Sequence, residues 1–201
     1  MASWTKLRPA MAMEVKGTAF LARRAMADRR GKLADFDRVV RELAAIEPVF
    51  AAPILATTRI PIVAFFRLNE ELVRQMHGGD VRSYFEFGVD SANWGLTDGP
   101  YQKLVTDRSV EAFVASAPSL YRNYYTVGAA EGALVGDRAT LQIVGIPAPF
   151  RHPYIELGVT GYFKRGLELV SNRAVEMRAI TGFVKGDAEV RYEYELRRVT
   201  R

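Results

Sequence analysis

Cysteine is absent from the 201 residues, and histidine occurs only twice, as His77 and His152. Without cysteine there is no disulfide framework, thiolate nucleophile or cysteine-ligated metal, and a reducing cytoplasm is the expected compartment. The two histidines stand 75 positions apart, and neither belongs to a ligand pattern such as H-E-x-x-H. His77 falls at an expected helix C-terminus, where an imidazolium suits the dipole, and His152 precedes Pro153 at an expected helix start. No G-x-S-x-G elbow occurs, and Ser116, Ser119 and Ser171 have no evident histidine partner. "GDRATLQIVG" and "HGGD" contain glycines but form no phosphate-binding loop pattern. These absences point to a chain that is not an enzyme and carries no cofactor or metal.

Long apolar runs are missing too. The most hydrophobic window, "PVFAAPILATTRIPIVAFF", is interrupted by Pro48, Pro53, Arg59 and Pro61. It falls short of the roughly twenty apolar residues of a membrane span and reads as buried core. "MASWTKLRPAMAMEVKG" lacks the apolar centre of a secretory signal. The net charge is +5, concentrated at the ends: residues 1–50 hold ten basic and six acidic groups. The basic stretch "ARRAMADRRGK" contains no aromatic residue, whereas a nucleic-acid surface interleaves the two, so it reads as a solvated helix face and no nucleic-acid partner is expected.

What is present reads as one domain over residues 14–198, preceded by an N-terminal extension, 1–13. Phe20, Leu21, Ala25 and Met26 mark a short helix that stops near Gly31. Leu33, Phe36, Val39, Val40, Leu43 and Ile46 mark a second, ended by Pro48. Pro61 opens a third, with Ile62, Phe65, Phe66, Leu72, Val73 and Met76 on one stripe and Gly78-Gly79 as its stop. Asp80 is placed to cap a helix over 81–96, which ends at Asp98-Gly99-Pro100, and further helices follow over 109–117 and from Pro118.

After Gly128 the period becomes alternating. A hairpin turns at Gly136-Asp137 with Leu141 and Ile143 inward, and a helix begins at Pro153, dotted by Gly158, Gly161 and Gly166. Two strands finish the chain. One has Val175, Met177 and Ala179 on a face; the other has Val190, Tyr192, Tyr194 and Leu196 on one face and Arg191, Glu193, Glu195 and Arg197 on the other. The fold class is therefore α+β: an N-terminal helical half, then a strand-strand-helix-strand-strand antiparallel sheet packed on helices.

"VKGTAFLARRA", "RLNEELVRQMHGGD", "YRNYYTVGAAE" and "GYFKRGLELV" resemble, in order, a paralogous family of about this length that is abundant in myxobacteria and has no assigned function. The C-terminal strand-strand-helix-strand-strand half, with Gly186-Asp187 before the last strand, is more distantly similar to the 4-vinyl-reductase-type small-molecule-binding domain and to TRAPP-complex subunits. That likeness implies either a hydrophobic ligand held between helices and sheet or a dimeric assembly module. Metal-binding relatives place cysteines near the final strand pair, where this chain has Ala188 and Glu189, so zinc is not implied.

Tyrosine offers a flat apolar body with a hydroxyl edge, suited to pockets and interfaces. Tyr121, Tyr124, Tyr125, Tyr162, Phe163, Tyr192 and Tyr194 are the expected lining of a ligand cavity. In the helix over 81–96, Gly88, Ser91, Ala92 and Gly95 would let another helix approach, within the chain or from a partner. Arg59, Asn93 and Glu168 are the polar residues a catalytic cleft would have to gather. The expected role is a non-enzymatic sensory or regulatory domain, working as a homodimer and binding a small apolar ligand. A ligand-free protein-interaction adaptor or scaffold is the alternative.

Overall fold

A computed structural model describes residues 12–99 and 101–197. Most of the expected extension (residues 1–11), Pro100 in the break after Gly99, and residues 198–201 lie outside the described residues. A short strand, β1 (Glu14–Lys16), leads into α1 (Gly17–Arg29) and α2 (Leu33–Ala44); β2 (Arg59–Pro61) then precedes α3 (Ile62–Met76). Next come α4 (Ser83–Asn93), α5 (Gln102–Thr106), α6 (Val110–Ala115) and α7 (Ala117–Tyr124). The second half is β3 (Ala129–Val135), β4 (Arg138–Val144), α8 (Pro153–Ser171), β5 (Val175–Thr181) and β6 (Val190–Leu196). This is the α+β order expected from the change of hydrophobic period.

The β3–β4 hairpin turns at Gly136, whose φ of 58° is a left-handed conformation favouring glycine. The four-stranded antiparallel sheet has the order β3-β4-β6-β5. Leu141 pairs with Tyr192 and Ala139 with Tyr194, so their side chains share the inner face. That face is buried, while Arg191 points outward and Arg178 pairs with Glu193 on the same outer side at 2.6 Å. The final strand is thus the amphipathic strand its alternation predicted.

Strands β1 and β2 were not expected. Each has three residues, and they pair antiparallel with Val15 opposite Ile60, both fully buried. Three residues carry too little alternation to be seen, and the partners lie 45 positions apart. The pair positions the site: Glu14 N–H donates to Thr126 Oγ1, Thr126 N–H donates to Glu14 O, and Val15 bridges Tyr125. The start of the domain therefore clamps the end of α7.

Gly158 and Gly161 of α8 approach α4, whereas Gly166 leaves room for the Phe113 ring of α6. A Cβ on Gly88 would overlap the carbonyl oxygen of Gly158, and a Cβ on Gly161 would overlap that of Phe85. The small residues of α4 and α8 therefore admit each other, within one chain. At its end α4 widens into a π-helical turn, Trp94–Asp98. Asp80 does not cap α4 at its N-terminus; its carboxylate bonds Arg82 N–H at 3.0 Å, an Asx turn that delays the helix to Ser83.

Candidate functional site

A cavity of about 60 Å³ lies between α1, α4, α7, α8 and the inner face of β3 and β4. Ala19, Leu120, Ala130, Leu141 and Val159 give it apolar walls. Its remaining lining includes Tyr121, Tyr124, Tyr125, Tyr162 and Phe163, five of the seven aromatic residues singled out from sequence. The other two are placed elsewhere. Tyr192 O–H donates to Glu156 Oε1 at 2.6 Å, and Tyr194 O–H donates to Thr160 O at 3.3 Å, so both pin β6 to α8.

Local structure explains how the tyrosines converge. Pro118 sits in the first turn of α7, and Tyr121 and Tyr124 follow on its inner side. Tyr125 leaves the helix with extended backbone and turns its ring back onto Tyr121, centroids 5.0 Å apart. Tyr121 O–H closes the following loop by donating to Val127 O. Tyr124 and Tyr162 meet edge to face, with centroids 6.1 Å apart.

The hydroxyls of Tyr124 and Tyr162 are buried, find no hydrogen-bond partner elsewhere among the described residues and face each other closely enough for each to shift the other's acidity. Both lie beside Gly95: a Cβ there would sit 3.5 Å from the Tyr162 oxygen and 3.7 Å from that of Tyr124. Burial, first among the causes, raises both phenol pKa values, so the hydroxyls remain protonated donors at neutral pH.

Arg23 was missed. Its stretch was expected to face water, yet Arg23 is 1% exposed and lines the cavity. Its guanidinium donates from Nε to Asn69 Oδ1 at 3.1 Å, and from Nη1 to Phe87 O at 2.6 Å and Ser91 Oγ at 3.0 Å. Nη2 donates to Tyr154 Oη at 3.3 Å, and the charge rests 4.5 Å from the centroid of Phe87. All these acceptors are neutral, and no carboxylate among the described residues pairs with Arg23. A signal was available: Arg23 is four residues after Ala19 and three before Met26, so it shares their buried helical face.

The polar residues considered for catalysis do not converge on this cavity. Arg165 bridges Asn93 and Glu168, with Lys164 also on Glu168, while Arg59 is exposed on β2. The hydroxyls of Ser116, Ser119 and Ser171 donate to carbonyls of Phe113, Ser116 and Leu167, one helical turn back. Among the described residues no three His, Asp or Glu side chains cluster as a metal site would need. No described helix is long and apolar enough to cross a membrane.

Neither histidine reaches the cavity. His152 stacks on Phe66 with centroids 4.3 Å apart, accepts Tyr154 N–H at Nδ1 and pairs through Nε2 with Glu70, whose carboxyl it holds below the usual range. His77 packs on the edge of Phe87, and burial, with Arg30 and Lys32, lowers its pKa; Asp90 opposes this. The folded state therefore binds fewer protons at His77 than the unfolded state. Its contribution to stability is full above the unfolded pKa of about 6.5 and is lost as pH falls toward the lower folded value. Urea unfolding at pH 7.5 and 5.5 should show a smaller acid loss for His77→Gln than for the parent chain.

A scan of protein-family models finds no match, and no curated protein matches. Solved structures do. An H-NOX protein from S. oneidensis in the Fe(II)NO state is 14% identical with a TM-score of 0.66, over 91% of this chain and 99% of that one. A mutant H-NOX protein from K. algicida, in the unliganded Fe(II) state, is 12% identical with a TM-score of 0.68, over 92% and 97%. The Fe(II)CO domain SO2144 from Shewanella oneidensis gives 12% identity and a TM-score of 0.67, over 90% and 98%. The fold is thus H-NOX-like. This overturns the resemblance to 4-vinyl-reductase-type domains and TRAPP subunits, and the myxobacterial likeness finds no family match behind it. The expectation failed for a physical reason: a strand-strand-helix-strand-strand order is a short pattern that more than one fold contains, and the helices before it decide which.

Proposed function

We propose that the chain is a non-enzymatic sensory or regulatory domain that holds a small, mostly apolar molecule in the cavity between its helices and sheet. The observation that carries this is the cavity itself: apolar walls that leave space unfilled and two buried tyrosine hydroxyls with no partner beyond each other. Close packing normally removes such space, and unsatisfied buried hydroxyls are costly, so an occupant would improve both. The fold is one in which other proteins carry iron with NO or CO bound.

Heme itself does not fit these residues. The lining holds no histidine, cysteine or methionine, and the buried tyrosines keep their protons. A volume of about 60 Å³ corresponds to a few waters at roughly 10–15 Å³ each, far below a porphyrin ring. Closing the gap between α4 and α8, Gly88 abuts Gly158. The occupant is accordingly a compact molecule of a few heavy atoms.

Xenon, which enters dry apolar cavities, tests the reading on the full chain. Amide resonances of Gly158, Val159 and Tyr162 should shift saturably under xenon pressure, and Val159→Phe should abolish the shifts while the chain stays folded. An absence of saturable shifts in the parent chain would remove the cavity as a binding site.

A further inference from the structure

We infer that the cavity recognises a short-chain monocarboxylate, its carboxylate held by Arg23, Tyr124 and Tyr162 and its hydrocarbon part by the apolar wall. The inference rests on the cavity being a binding site and adds the chemistry of its ligand. A guanidinium has five N–H donors, and Arg23 spends four, one on Asn69, two on Phe87 and Ser91 and one on Tyr154. One Nη2 proton remains. The charge has no carboxylate partner among the described residues, and burying a cation without a counter-ion is unfavourable.

The two hydroxyls belong to residues that line the same cavity as that charge. Ser91, which Arg23 contacts, and Gly95, which the hydroxyls face, are four residues apart and so one turn apart along the same face at the end of α4. The Arg23 charge lowers the Tyr124 phenol pKa against the larger effect of burial, which places the two side chains in one electrostatic neighbourhood. One spare guanidinium N–H, two phenols with no partner beyond each other and a positive charge with no carboxylate beside it thus line one cavity. A carboxylate supplies a negative charge and enough lone pairs to accept all three.

Size and wall chemistry narrow the class. Ala19, Ala130, Leu141 and Val159 leave space for a stub of about one or two carbons. Phosphate and sulfate would meet this wall without a partner. A short fatty acid anion places its charge and its methyl groups where each is matched.

Acetate and its neutral isostere acetamide separate charge from shape, at a size that suits a cavity of about 60 Å³. At pH 7, amide shifts of the full chain should saturate with acetate, and acetamide should bind at least about tenfold more weakly, the loss expected for a hydrogen-bonded charge. Tyr124→Phe with Tyr162→Phe removes no hydrogen bond to the rest of the chain, so the double variant should fold as the parent does. It should still admit xenon and bind acetate about tenfold more weakly. Equal binding of acid and amide would overturn the charge recognition while leaving the cavity a binding site. Xenon entry without acetate binding would overturn it in the same way, and failure of xenon as well would remove the site altogether. Unchanged acetate affinity in the double variant would also overturn the assignment.

Discussion

Gly88→Ala is expected to unfold about 5–10 °C below the parent chain, a loss of roughly 2–3 kcal/mol. Helix propensity alone predicts the reverse, because alanine is favoured over glycine by about 1 kcal/mol inside a helix. The sign is decided by α8: the added methyl would overlap Gly158 O and come within 2.8 Å of Tyr162 N. Both are backbone atoms, so no rotamer change relieves the contact and the helices must separate. Gly158→Ala is the matched control. Its methyl would meet only the Tyr154 ring, at 3.4–3.8 Å. It should therefore leave the melting temperature unchanged or raise it by up to about 3 °C, the propensity gain alone. Differential scanning calorimetry should show a lowered melting temperature for Gly88→Ala alone if the approach of α4 to α8 is as close as described. Two equal shifts would show that it is not.

Glu156→Ala should cost about 3–5 kcal/mol in urea unfolding at pH 7, more than any surface substitution. Glu156 is 2% exposed in the first turns of α8. Its Oε1 accepts Tyr192 O–H at 2.6 Å and its Oε2 accepts Val184 N–H at 2.8 Å, so one carboxylate ties helix, last strand and the β5–β6 connection together. Gly182 is pressed against it so closely that a Cβ would overlap the carboxylate. Alanine would strand the buried Tyr192 hydroxyl and the part-buried Val184 N–H. Tyr192→Phe removes only one of them and should cost about 1–2 kcal/mol, and the Ala–Phe double variant should be less destabilised than the sum of the two. Strict additivity would mean that the two groups do not interact.

Why was Arg23 not found when the tyrosines were? Aromatic residues announce cavity walls because they are large and apolar with a polar edge, and five of the seven chosen do line the cavity. Tyr192 and Tyr194 resemble the others in sequence and differ only in what α8 offers their hydroxyls. An arginine in a run of arginines looks solvated, and its burial depends on acceptors from α3, α4 and α8 arriving at one point. Those residues lie 46 to 131 positions away.

The alternation of β6, the Gly136 turn, the stop at Gly78-Gly79 and the helix begun at Pro153 are local properties, legible because backbone preference and hydrophobic period act over a few residues. By itself the sequence determined the α+β order, the inward face of the last strand and the absence of familiar catalytic motifs. Only the tertiary structure decided that β1 pairs with β2, that α4 and α8 meet through their glycines, and that a buried guanidinium and two phenols with no partner beyond each other share one small cavity. Each of these depends on contacts between residues far apart in the chain, where no local pattern records which groups will meet.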